Sequence, residues 1–167
     1  MQLSKAILAI AITGSMLGYS TVQATEAELR ATVAELASLL SDGHTIFYPR
    51  HSSILSVPSS QETVVFFTIE GFGKGNGSSQ YLAFFSHNEP YPGDPAKIPP
   101  YRLIAFLHVG ATGWRHFDPK TAQFRNSSVK VSGLSYAPKD SSCCPTQPVS
   151  ATFSVSNGRI TEQSSGD

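Results

Sequence analysis

The sequence is poor in cysteine and in charge. Of its 167 residues only two are cysteine, and Asp, Glu, Lys and Arg together make up 14%. Two cysteines cannot form a disulfide scaffold, so the fold must depend on a hydrophobic core. Twelve basic residues balance twelve acidic ones, which leaves no excess charge to attract a nucleic acid or an anionic membrane. We therefore expect neither of these partners.

The sequence also lacks an apolar run long enough for a stable membrane anchor. The N-terminal run Ala6–Ile12 is interrupted from Thr13 onward, well short of the ~20 residues that a membrane-spanning helix needs. Lys5 precedes this run and small residues ending at Ala24 follow it, which is the pattern of a secretory signal peptide. We predict that the signal peptide, residues 1–24, is cleaved and that residues 25–167 form one periplasmic or secreted domain.

One amphipathic helix is predicted directly after the cleavage position. Thr25 and Glu28 form a capping box, which predicts that the helix begins at Thr25. Asp42 and Gly43 supply a C-terminal stop signal. Apolar residues between these signals fall at helical spacing on one face, namely Leu29, Val33, Leu36, Ala37 and Leu40. This stripe requires a partner surface in order to be buried.

The remaining sequence alternates between β-prone segments and turns. Residues 63–69 are apolar on both alternating faces, which favours a central strand covered on both sides. Further strands are predicted at residues 80–86, 101–109, 129–136 and 149–155, with shorter ones at residues 44–48 and 54–57. Residues 114–117 are predicted to begin a return strand after a turn at residues 110–113. Asn157-Gly158 predicts a tight hairpin to a last strand. The fold class is therefore α+β, with one N-terminal helix packed on an antiparallel meander sheet of five to seven strands.

Two segments are candidates for a binding surface. The proline-dense segment 89–100 is either a binding loop that presents Tyr91 or a crossover between strands. Trp114, Arg115 and His116 combine an aromatic ring, a forked donor and a titratable ring, which together could hold an anionic or sugar-like group. The alternative for this second segment is a core tryptophan beside surface charges.

No pattern in the sequence indicates a cofactor or a metal. The glycines between Gly71 and Ser79 lack the ending of a phosphate-binding loop, and they are better explained as a hairpin turn. The five histidines have no metal-ligand spacing, and His108 and His116, which flank a predicted turn, lack a third ligand. No nucleophile motif is present either. We therefore predict no cofactor and no metal, and the sequence gives no support for an enzyme.

The neighbouring residues Cys143 and Cys144 are the most specific feature of the chain. Adjacent α-carbons lie ~3.8 Å apart across a trans peptide, whereas ordinary disulfides join α-carbons ~4.4 to 6.8 Å apart, so a bond between these two is strained. Three states remain open: a vicinal disulfide, two free thiols and an intermolecular bridge. Asp140 can cap the turn by accepting hydrogen bonds from backbone amides about two residues after it, and Pro145 biases Cys144 away from helical geometry.

These residues carry a resemblance to known proteins. The segments 134–136 and 140–146, together with 68–73, 81–83 and 110–115, resemble a group of exported bacterial proteins of unassigned function. They also resemble the LppP/LprE-type mycobacterial lipoproteins, which share an Asp-x-x-Cys-Cys-Pro-Ser/Thr signature. The signature marks a family but implies no known chemistry. This chain departs from the lipoproteins because it has no cysteine for lipid attachment near the cleavage position.

Two functions are compatible with these observations. The first is an exported, non-enzymatic module that binds an unknown protein or small ligand, for example an inhibitor or immunity-type protein, through residues 89–100 and 110–115. The second is a redox-responsive or enzymatic role centred on Cys143 and Cys144. Within this second interpretation the disulfide is either a structural clip or a switch, and a switch requires a reductant in an oxidising compartment.

Overall fold

Residues 19–56, 61–88 and 99–164 are described by the computed structural model, and within them the chain forms one α-helix and ten β-strands. The helix is α1 (Tyr19–Leu40). The strands are β1 (Ile46–Phe47), β2 (Ser53–Ser56), β3 (Glu62–Phe72), β4 (Gly77–His87), β5 (Tyr101–Ala111), β6 (Arg115–Phe117), β7 (Gln123–Arg125), β8 (Ser128–Ser135), β9 (Gln147–Ser156) and β10 (Arg159–Ser164).

All ten strands belong to one antiparallel sheet. Its order is β1-β3-β4-β5-β6-β8-β9-β10, while β2 pairs with β3 and β7 pairs with β8. The predicted combination of a single N-terminal helix with an antiparallel sheet is confirmed, but the predicted number of five to seven strands is too low. β1 and β6 fall within predicted strand segments, whereas no prediction covers β7, which has only three residues. Such a strand is too short for an alternating pattern to show in the sequence.

The predicted apolar face of α1 is confirmed. Leu29, Val33, Leu36 and Ala37 are buried, and Leu40 packs against them. The predicted helix start at Thr25 is wrong for the uncleaved chain, because no glycine or proline between Tyr19 and Ala24 stops the helix. The predicted cleavage position after Ala24 therefore lies inside α1, and cleavage there stays a prediction.

Strands β3 and β4 are covered on both faces, as the sequence of residues 63–69 predicts. On one face α1 packs over a cluster that includes Val65, Phe67, Ile69, Tyr81, Ala83 and Phe85. On the other face lies a second cluster, which includes Val64, Phe66, Leu82, Phe84, Phe117, Val131 and Phe153. The second cluster combines residues from both halves of the sheet, so the sheet must curl over on itself to enclose them.

Contacts between distant strands hold the curled sheet together. The Ser127 hydroxyl, in the turn between β7 and β8, donates to a carboxylate oxygen of Glu62 on β3, at a distance of 2.5 Å. Arg115 on β6 forms an ion pair with Glu162 on β10, and β10 lies against β5. These contacts place β6 and the start of the loop after β8 at the same end of the sheet. A cleft opens at this end.

Both predicted tight hairpins are present. The glycine-rich segment after β3 forms a turn at residues 73–76, and β3 and β4 pair antiparallel across it. Asn157 and Gly158 both have positive φ angles, of 52° and 71°, as a two-residue turn between right-twisted strands requires. Strand β10 then pairs back onto β9.

Candidate functional site

A cleft of about 730 Å³ lies between the β3–β4 hairpin, strands β6 and β8, and the loop that contains the two cysteines. Its first wall is formed by residues 76–78 at the start of β4 and residues 111–112 at the end of β5. The opposite wall is formed by Tyr136, Ser142, Cys143 and Pro145. Segments that are far apart in the sequence therefore meet at one concavity.

His116 and Leu134 form the floor of the cleft as a cross-strand pair. They are directly opposite each other in the register of β6 and β8, and both are exposed. Neighbouring residues on a strand point to opposite faces, so Arg115 and Phe117, on either side of His116, are buried in the interior. Strand β6 thus contributes one residue to the cleft and two to the core.

Gln80 holds β6 in position from the buried side of the sheet. Its side chain is 1% exposed; its carbonyl oxygen accepts from the Phe117 amide at 2.7 Å and its amide group donates to the Phe117 carbonyl at 2.9 Å. The same amide nitrogen lies 3.4 Å from Nε2 of His116. A hydrogen bond from this amide group to Nε2 requires the tautomer of His116 that carries its ring proton on Nδ1.

Sequence reasoning missed Gln80, although a signal was present. Gln80 lies on the same face of β4 as Leu82 and Phe84, which belong to the second core cluster. A glutamine at a core position of a strand requires internal hydrogen-bond partners. Gly110 makes room for it, since a Cβ atom at residue 110 would lie 2.8 Å from the Gln80 carbonyl oxygen.

The cysteine loop carries a vicinal disulfide between Cys143 and Cys144 across a trans peptide bond. Both residues are exposed, and Cys143 and Pro145 belong to the wall of the cleft. The Cys144 amide donates to the Ser141 carbonyl at 3.0 Å. Tyr136 connects the loop to β8, because its hydroxyl donates to the Ser142 carbonyl at 2.7 Å.

Asp140 holds the two ends of the cysteine loop together. Its Oδ2 atom accepts from the amides of Ala137 at 2.7 Å and Thr146 at 2.9 Å, and Oδ1 accepts from the Thr146 hydroxyl at 2.8 Å. The amides are therefore three residues before and six residues after Asp140, rather than about two residues after it. The hydrogen bond from the Ala137 amide, with those from Thr146, lowers the pKa of the Asp140 carboxyl below its ordinary value.

Acidification is expected to loosen this loop. A carboxyl whose pKa is lowered by folding contributes stability that is complete above the ordinary range near pH 4 and is lost as the pH falls through the folded-state pKa. NMR chemical shifts of the Ala137 and Thr146 amides, followed during an acid titration, measure this change. In Asp140→Asn both amides should lack the transition. A transition of unchanged size in that variant would contradict the assignment.

The structure separates the predicted binding residues. Tyr91 and the segment 89–98 lie outside the described residues. Trp114 is 45% exposed, so it is not the core tryptophan of the alternative interpretation. Its ring contacts the His108 ring and the Arg115 guanidinium, and it is not part of the cleft lining. Of these four candidates, His116 is the one that the structure places in the cleft with Cys143 and Pro145.

Arg115 is buried and engaged. Its Nη1 and Nη2 atoms donate to the two carboxylate oxygens of Glu162 at 2.5 and 2.7 Å, and its Nε atom donates to the Val109 carbonyl at 2.6 Å. The guanidinium carbon also lies 4.1 Å from the centre of the Trp114 ring. Arg115 therefore joins β5, β6 and β10 and does not offer its forked donors to the surface.

Comparison with known proteins adds no assignment. No protein-family model matches this chain, and no curated protein or solved structure is significantly similar to it. Within the described ranges no helix is long and apolar enough to cross a membrane, and no three His, Cys, Asp or Glu side chains are grouped as metal ligands. A function must therefore be inferred from the site itself.

Proposed function

We propose that this chain is an exported, non-enzymatic binding domain and that the cleft between the β3–β4 hairpin and the cysteine loop holds its ligand. The observation that supports the proposal is the convergence of five chain segments on one cleft of about 730 Å³. Ligand sites in proteins are typically concave, mostly apolar and equipped with a few polar groups. Leu134, Tyr136 and Pro145 supply the apolar surface here, with His116 and Asp118 as polar groups.

The bonding state of the reactive groups favours binding over catalysis. Nε2 of His116 is engaged by Gln80, and the cysteine sulfurs are bonded to each other. The hydroxyls of Ser78 and Thr112 lie 3.3 Å apart and hydrogen-bond to each other. A nucleophile requires a neighbouring base that is available to accept its proton, and the cleft presents groups that are already paired.

Filling the cleft should abolish ligand retention. Leu134 is 41% exposed on the floor, so Leu134→Trp adds a large side chain to the cleft without disturbing the core. The purified exported chain is incubated with a periplasmic extract, washed and analysed by mass spectrometry for retained molecules. Leu39→Trp is the matched control, because Leu39 is 84% exposed on α1. Retention by the parent chain and by Leu39→Trp, but not by Leu134→Trp, is the expected result.

Either of two results would reject the proposal. One is equal retention of the same molecule by Leu134→Trp and the parent chain, which would place the binding site elsewhere. The other is the absence of any molecule retained by the parent chain above the level of a resin without protein. A circular dichroism spectrum must first show that the parent chain and Leu134→Trp are folded.

A redox-responsive role is the second candidate, and the exposure of Cys143 in the cleft wall favours it. Reduction by a dithiol would transfer two electrons and two protons to the disulfide, giving two thiols and an oxidised reductant. Replacing both Cys143 and Cys144 with serine tests this role. If the disulfide is a structural clip, the double variant should lose stability but still retain the ligand. If it is a switch, retention by the parent chain should differ between reduced and oxidised samples. In the double variant this difference should be absent.

A further inference from the structure

We infer that the cleft binds a neutral, polyhydroxylated ligand, that is, a short saccharide. This inference rests on the proposed function and specifies the ligand class of the same cleft. The sequence suggested an anionic or a sugar-like group for the segment that contains Arg115 and His116. The structure distinguishes between these two classes by the charges and hydrogen-bonding groups that it places in the lining.

The charges of the lining disfavour an anion. Among the described residues that form the lining, Asp118 carries the carboxylate and there is no lysine or arginine. Arg115 is the forked donor that an anion would require, and all three of its nitrogens donate to Glu162 and Val109. An anion entering the cleft would lose hydration without gaining a cationic partner, and it would approach the Asp118 carboxylate.

A cation gains little from the same lining. Asp118 is exposed, and an ion pair in contact with solvent contributes only about 0 to 1 kcal/mol. One of its oxygens already accepts from the Lys120 amide at 2.9 Å. The carboxylate is therefore better suited to accept hydrogen bonds from hydroxyl groups than to act as the counter-ion of an ammonium group.

The polar groups of the lining match hydroxyls, which both donate and accept. Asp118 accepts, and the His116 ring and the hydroxyls of Ser78 and Thr112 can donate or accept. A purely apolar ligand would cover these groups and displace their water without offering them any further hydrogen bond. A polyol can satisfy such a mixed set with one kind of functional group.

The apolar part of the lining matches the other property of a sugar ring. Leu134, Tyr136, Pro145 and the disulfide at Cys143 form the floor and the far wall. The C–H face of a pyranose can pack on such surfaces through dispersion contacts. The volume of about 730 Å³ lies within the usual range for small-ligand sites and leaves room for a short oligosaccharide.

The test is an NMR titration of the isotope-labelled exported chain with four probe classes. The neutral probes are maltotriose, cellotriose and triacetylchitotriose, and the others are trigalacturonate as anion, hexyltrimethylammonium as cation and hexanol as apolar probe. A neutral trisaccharide is expected to shift the amides of residues 133–136 and 142–144 most. The same residues should respond much less to the other three classes at equal concentration.

Variants connect the shifts to the cleft. Asp118→Asn should weaken binding of the best neutral saccharide about tenfold, which corresponds to about 1.4 kcal/mol, because a charged acceptor forms stronger hydrogen bonds than the neutral amide oxygen that replaces it. Glu35→Gln, an exposed change on α1, should leave the affinity unchanged. Asp118 also accepts from the Lys120 amide, so the spectrum of free Asp118→Asn must match that of the parent chain outside residues 118–121.

The inference is overturned if none of the three neutral trisaccharides shifts the cleft amides. It is also overturned if trigalacturonate, the ammonium or hexanol shifts them more strongly. These results leave the proposed function intact when Leu134→Trp still abolishes retention of a molecule from the extract. If Leu134→Trp retains that molecule as well as the parent chain does, the proposed function fails, and the saccharide inference fails with it.

Discussion

Replacing Gly133 with alanine is expected to prevent folding or to destabilise the protein by at least about 3 kcal/mol. A Cβ atom at residue 133 would lie 2.1 Å from the His116 carbonyl oxygen and 2.6 Å from the Phe117 α-carbon. Added atoms in a packed site typically cost about 1–3 kcal/mol when side chains can adjust. Here the obstructing atoms belong to the backbone of β6, so relief would require this strand to separate from β8.

Urea unfolding of the parent chain and the variant measures this effect, and failure to fold is the stronger form of the expected result. Gly75→Ala is the control, because a Cβ atom at residue 75 would meet the Phe72 carbonyl oxygen at an ordinary 3.7 Å. Its free energy of unfolding should stay within about 1 kcal/mol of the parent value. A similarly small change for Gly133→Ala would show that β6 does not lie this close to β8.

Local patterns in the sequence were sufficient to predict the long elements of the fold. The apolar face of α1 has helical spacing over about three turns, and β3, β4, β5, β8 and β9 have eight or more residues each. Over such lengths an alternating or continuous apolar pattern is distinct from chance. The Asn157-Gly158 turn was predictable because asparagine and glycine adopt the positive φ angles that a tight hairpin requires.

The cleft was less predictable because tertiary contacts create it. Trp114, Arg115 and His116 are adjacent in sequence, which suggests one shared binding surface. On a strand, however, neighbouring side chains point to opposite faces, so Arg115 joins the core while His116 faces the cleft. The sequence predicts that a return strand begins at residues 114–117, but β6 has only three residues, too few for an alternating pattern to show which side chains face inward.

The cysteine loop shows a different limit of the sequence. Adjacent cysteines allow three bonding states, and local sequence does not determine which one forms. Asp140 could be predicted to cap a turn, because aspartate commonly accepts backbone amides nearby. Its bond to Thr146, six residues away, depends on the path of the whole loop. The contribution of Cys143 to the cleft wall likewise depends on where β8 ends.

Glu162→Gln is expected to destabilise the protein by about 3 kcal/mol, because it leaves the Arg115 guanidinium charged and buried without its carboxylate partner. The Arg115 side chain is 9% exposed and that of Glu162 is 25% exposed. The partial exposure of Glu162 places the effect at the lower end of the range for breaking a buried ion pair, which is about 3–5 kcal/mol. The thermal midpoint should fall by about 2 to 4 °C for each kcal/mol lost.

A double-mutant cycle with Arg115→Met separates the ion pair from simple packing. Methionine retains part of the apolar contact that Arg115 makes with Phe117, whereas the charge is removed. If the ion pair explains the loss, the double variant Arg115→Met with Glu162→Gln should be more stable than either single variant, because no buried charge remains unpaired. Strictly additive losses would instead mean that the two residues stabilise the contact between β6 and β10 independently. Glu35→Gln, on the exposed side of α1, should show no comparable loss and so exclude a general effect of removing one carboxylate.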